Sequence, residues 1–161
     1  MPRPDGAGIA SVRLVSDLTE LTRIAQESAE AYFDGDLDTY AGLVRHADDF
    51  SLMSPFGGPT VHGFELNDES RESTRQTFQG GDAPVQVDVE AAYVGADLAV
   101  LAVIERQAGK VGDLPAQDWS LRVTLAFRRE ADEWRLVHRH ADTLVHGIGW
   151  DQVSALARGE G

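Results

Sequence analysis

The sequence predicts a single α+β domain, with N-terminal helices packed on a curved antiparallel sheet. Three observations carry this. Leu18, Leu21, Ala25, Ala29 and Tyr32 recur at helical spacing early in the chain. From Val85 onward the pattern changes to period two, in segments of strand length separated by turn signals. The helical segments all precede the long strands, which favours an antiparallel meander over alternating βαβ units. At 161 residues the chain is long enough for one domain with a proper core.

In chain order, residues 1–16 read as a flexible N-terminus and the domain proper spans 17–146. Asp17 with Glu20 resembles a capping box opening the first helix, and Gly35 stops it. Asp36 caps a second, shorter helix that ends near His46. Phe50–Ser54 reads as a short strand, and Pro55–Pro59 as a turn-rich loop leading to His62 and Gly63. Asn67–Gln79 is polar nearly all round, with acidic residues early and Arg75 late, so a surface helix is predicted. Strands follow at Val85–Tyr93, Leu98–Ile104, Trp119–Phe127 and Trp134–Asp142, the last two joined by a charged loop at Arg129–Glu133. Residues 147–161 form a tail in which Trp150–Arg158 reads as a short helix.

Composition narrows the function. The net charge of −13 argues against nucleic acid or an anionic membrane as partner. No apolar run reaches the length of a membrane span, and the first residues lack an apolar signal core, so a cytoplasmic location is expected. The chain has no Cys, which excludes disulfides, thiolate metal sites and Cys nucleophiles. Lys110, the one lysine, falls in a loop, a poor setting for Schiff-base chemistry.

The final strand holds the candidate chemistry. Strict alternation over Trp134–Asp142 puts Trp134, Leu136, His138, His140 and Asp142 on one face. Three readings of His138, His140 and Asp142 stand open. They can do acid–base work, with one imidazole as proton carrier and the carboxylate orienting it. They can contribute to a metal site. They can be structural histidines of a pocket wall. Spread over ~13 Å of strand, the three do not reach one ion without help from another strand, so no stoichiometric metal is expected. No cofactor is expected either, since acid–base turnover of this kind needs none. Tyr32, Met53, Ser54, Phe56, His62, Trp119 and Trp134 are the candidate ligand-binding residues, Trp134 as core with an edge on the pocket. His62 and Glu105 are the next candidates for acid–base work.

Gly35-Asp-Leu-Asp38, Ala47-Asp-Asp49, Ser54-Pro55 with Gly57-Gly58, Gly63, and Trp134-Arg-Leu-Val-His-Arg-His-Ala-Asp142 together resemble the nuclear transport factor 2-like superfamily, in its SnoaL-like and ketosteroid-isomerase-like branch. The resemblance covers roughly residues 17–146. It implies a conical α+β barrel, a pocket between helices and a bent sheet, and a homodimer packed through the outer sheet face; strand alternation places Arg139 and some of Arg122, Thr124 and Val137 on that face. It does not carry the steroid-isomerase reaction. Ser54 stands where that branch has a general-base Asp, Ser28 where it has a Tyr, and Val123 where it has a protonated Asp. A hydroxyl without an adjacent base accepts protons poorly, and Val cannot donate to an oxyanion. The expected function is therefore binding of a small apolar organic molecule, with or without cofactor-free isomerase, cyclase or dehydratase chemistry. A non-catalytic ligand-binding or dimerisation module is the alternative.

Overall fold

The computed structural model describes residues 6–161. The first helix is longer than the capping signal at Asp17 implied: α1 runs over Gly6–Phe33. The expected loose segment therefore lies outside the described residues as far as residue 5 and is helical from Gly6 onward. Asp17 is buried in mid-helix, where it accepts from Trp134 Nε1 at 3.3 Å and meets Arg129 at 2.6 Å. The acidic residue that reads as a cap is the inner half of a buried ion pair. Gly35 ends α1 with φ +75, and Asp36 N–H returns to the Ala31 carbonyl at 2.9 Å. A side chain at Gly35 would strike the Phe78 carbonyl as well as strain the backbone.

Asp36 then caps α2 (Leu37–Leu43) by accepting from Thr39 N–H at 3.0 Å. Strand β1 (His46–Met53) and the short β2 (Val61–His62) flank the Gly-rich loop. Helix α3 (Asp68–Thr77) opens with a reciprocal Asn67–Ser70 capping box and buries only Thr74. The long strands are β3 (Gln86–Val94) and β4 (Leu98–Arg106), followed by a small ribbon of β5 (Ala108–Gly109) and β6 (Gln117–Asp118), then β7 (Leu121–Glu130) and β8 (Glu133–Asp142). Helix α4 (Trp150–Ala157) ends the chain.

The main sheet has the order β2-β1-β8-β7-β4-β3. The pairs β3–β4, β4–β7 and β7–β8 form the expected antiparallel meander, whereas β1 joins β8 in parallel. The β7–β8 turn is tighter than the predicted loop. It uses only Ala131 and Asp132, both at positive φ (49 and 64), because a two-residue turn of that hand matches the twist of the strands. Helix α1 crosses the concave face, and Leu21, Ile24, Leu101, Val123 and Leu136 close the core. Gln26 fixes the docking: its amide donates to the Val85 carbonyl at 2.7 Å and accepts from Val87 N–H at 2.9 Å. One side chain thus continues the ladder of β3 and ties it to α1.

One irregularity decides which residues face the cone. Phe127 pairs with Leu136, but the next residue, Ala126, pairs with His138. Val137 is the extra residue of a bulge, and every side chain after it changes face. Trp134 and Leu136 point inward as expected, but Arg139 and Ala141 then take over the inner face. His138, His140 and Asp142 lie on the outer face, and Arg139 is not at the outer seam.

Candidate functional site

Between α1, α2, α3 and the concave face of β4, β7 and β8 lies a cavity of about 450 Å³. Ile24, Leu52, Phe78, Leu125, Phe127 and Leu136 make most of its wall apolar. The loop from Ser54 to Phe64 forms its mouth, where Phe56 packs on Trp119 with ring centroids 5.5 Å apart.

A charged pair stands in this apolar wall. Arg139 donates through both terminal nitrogens to the two Glu105 oxygens, each at 3.0 Å. The Glu105 side chain is 6% exposed and that of Arg139 20%. Parity explains the position of Glu105. It continues the inward series Ala99, Leu101, Val103 of β4, and Gln107 follows it. The Val137 bulge supplies Arg139 from two strands away. Burial alone would weaken the guanidinium's hold on its proton, but the adjacent Glu105 carboxylate outweighs it and holds the Arg139 pKa above its ordinary range. The pair is neutral as a unit.

A second polar group lies beside it. Tyr40 Oη and His46 Nε2 are 3.2 Å apart. His46 is stacked on Phe64 at 3.9 Å between ring centres and meets Phe50 edge-on at 4.6 Å. Burial in this aromatic setting pulls the imidazole down to about 4, so it is neutral at pH 7 and its ring can accept from Tyr40. Burial likewise raises the phenol pKa values of Tyr32 and Tyr40. Finally, Gln107 Oε1 and Trp119 Nε1 are fully buried and have no hydrogen-bond partner among the described residues.

Of the residues predicted to bind ligand, Tyr32, Ser54, Phe56, His62 and Trp119 line the cavity. Met53 does not: it is 45% exposed and pairs with His140 on the outer row. Trp134 does not either, because its indole is committed to Asp17 and lies under the Arg129 guanidinium, 4.2 Å from the ring centre. The predicted catalytic row is off the cavity wall altogether. His138 Nδ1 is 2.8 Å from Ser51 Oγ, and Asp142 is held by two bonds of 2.9 Å from Arg122. His140 is exposed opposite Thr124. Among the described residues no group of three or more His, Asp or Glu side chains converges as metal ligands do. Glu105, a next candidate in the sequence, does face the cavity, and Gln107, just past the end of β4, could have been found from the same inward parity. Arg139 could not, because the period-two pattern carries no mark of the bulge.

A SnoaL-like domain model matches residues 22–145, nearly the whole of this architecture. The chain belongs to the SnoaL-like domain family. A search of curated proteins finds no match. Solved structures share the fold at low identity. A nuclear transport factor 2-like superfamily protein from Salmonella enterica is 15% identical with a TM-score of 0.62, over 83% of this chain and 94% of its own. The association domain of CaMKII from C. elegans is 15% identical with a TM-score of 0.58, over 81% and 98%. A nuclear transport factor 2-like protein of unknown function from Pseudomonas putida is 19% identical with a TM-score of 0.59, over 80% and 87%. At these identities the likeness concerns the fold alone. As in that fold, the helices and curved sheet of this SnoaL-like chain form a cone. No described helix is long and apolar enough to cross a membrane.

Proposed function

We propose that the cone binds a small, largely apolar, uncharged organic molecule. The observation that carries this reading is the cavity of about 450 Å³, apolar on most sides with a few convergent buried polar groups, which is the usual make-up of a small-molecule site. The charge-compensated Glu105–Arg139 pair supports an uncharged ligand, since a carboxylate next to Arg139 would also face Glu105. The test is a screen of neutral ring compounds by thermal unfolding. A ligand at a hundred times its Kd raises stability by about 2.7 kcal/mol. Ser28, small and buried on the cavity wall, provides the control: Ser28→Leu puts a bulky side chain into the space and should reduce the shift in a folded protein. Shifts unchanged in Ser28→Leu would put the ligand elsewhere.

A second reading, cofactor-free proton transfer, is favoured by one observation: Glu105, Tyr40 and His46 lie within the cavity. Here Glu105 takes the acid–base role that the sequence pattern gave to His138 and His140, with Arg139 holding its carboxylate. In any turnover assay that the screen yields, Glu105→Gln then lowers the rate by roughly 10²–10⁴. We also propose that the chain pairs with a second copy through the outer face of the sheet.

A further inference from the structure

Gln107 and Trp119 are neighbours on the cavity wall. Trp119 N–H donates to the Gln107 carbonyl at 2.8 Å, where the main sheet passes into the β5–β6 ribbon. Residues paired this way carry side chains about 5 Å apart at Cβ. Both side chains line the cavity, and each has one fully buried polar atom without a partner among the described residues. The two atoms are complementary in kind. An indole N–H can only donate, and an amide oxygen can only accept. Buried polar groups are almost always matched, and an unmatched one costs more than a made bond returns.

We infer that Gln107 and Trp119 form a clamp for a carbonyl oxygen and a hydroxyl carried side by side on one neutral ligand. The inference rests on the cavity being the binding site and specifies what it selects. Trp119 Nε1 donates to the carbonyl oxygen, and Gln107 Oε1 accepts from the hydroxyl. The ligand class is a β-hydroxy ketone whose two oxygens are held apart by a ring, because an open-chain one can bond to itself and leave the clamp unmatched. A carboxylic acid is disfavoured, since its charge meets Glu105, two residues before Gln107 on the same cavity wall.

The test uses four compounds of one skeleton: 3-hydroxy-1-indanone, 1-indanone, 1-indanol and indane. Their affinities are measured by titration calorimetry on the full chain. The hydroxy ketone is expected to bind about tenfold more tightly than either singly oxygenated compound, the usual worth of one hydrogen bond. Gln107→Leu should bring it level with 1-indanone, and Trp119→Phe should bring it level with 1-indanol. Both variants should still bind indane, which shows that the cavity remains open, and the comparison with 1-indanone and 1-indanol is made within each variant. Equal wild-type affinities for all four compounds, or preferences that survive both replacements, would overturn the clamp while leaving the apolar cavity as a binding site. If indane fails to bind as well, the cavity reading falls with the clamp.

Discussion

At the scale of single residues, the buried charges and the buried imidazole set the conditions under which this cone holds together. Glu105 and Arg139 satisfy each other, so removing one leaves the other uncompensated in an apolar wall. Glu105→Ala or Arg139→Ala should cost about 3–5 kcal/mol, and Glu105→Leu with Arg139→Met should recover most of that loss. Urea unfolding of the three variants checks this, and a double variant no more stable than the singles would contradict it. His46 gives the protein a pH limit. Its folded pKa, about 4, lies below the unfolded value of about 6.5. The folded state therefore binds fewer protons, and the contribution is fully present above pH 6.5 and is lost as pH falls toward 4. Between pH 7 and pH 4.5 the wild type should lose roughly 2 kcal/mol more than His46→Phe, as read by urea unfolding at each pH. Parallel pH curves for the two proteins would rule this out. Residues of this kind were only half legible in the sequence. Glu105 had a readable inward parity, but its partner lies on another strand, and His46 shows nothing in the chain of the aromatic rings that surround it.

At the scale of elements, the sequence told the type of the long segments from Leu18 onward, read residues 6–16 of α1 as loose, and missed the places where the backbone breaks its own period. Helical spacing and alternation were enough for α1, the meander and the order of the two, because burial on one face imposes those periods. The β7–β8 turn and the Val137 bulge depend on backbone geometry that no residue type announced. Ala131 is a poor residue for φ 49, and Asn-Gly is the preferred pair for such a turn. Ala131→Asn with Asp132→Gly should therefore raise stability by about 1 kcal/mol, seen as a higher urea midpoint at unchanged slope. The bulge allows a sharper test. Deleting Val137 puts His138 directly after Leu136, which restores regular alternation with Leu136 and Arg139 still inward. That deletion should leave a folded protein with native circular dichroism. Deleting Val137 together with His138 instead puts Arg139 directly after Leu136, which turns Arg139 out of the cone and should unfold the protein. The reverse outcome would show that the bulge does not set which residues face the cavity.

At the scale of the whole molecule, the outer face of the sheet remains to be explained. Inside, β4 and β7 bury Leu101, Val103, Val123 and Leu125 against α1. Outside, the same strands present Val100, Ala102, Ile104, Thr124 and Ala126, and β3 adds Tyr93, 67% exposed. This centre is apolar, and its rim is charged and already paired, through Arg106 with Asp88, Arg122 with Asp142, and Arg128 with Asp49. An apolar centre within a polar rim is the anatomy of a protein interface, and a sheet face meeting its own copy about a twofold axis is self-complementary. The face corrected by the bulge suits this better than the one expected from strict alternation. Arg139 would have placed a charge in the middle of the seam, whereas it is turned into the cone. The expected outcome is a dimer in sedimentation at micromolar concentration. Ala126→Arg, at the centre of the face and opposite His138, should give a folded monomer by desolvating an unpaired charge at the seam. Because Ala126 points away from the cavity, the monomer should still bind the neutral ligands of the cone. A wild type that sediments as a monomer, or an Ala126→Arg variant that stays dimeric, would remove the outer face as the contact between copies.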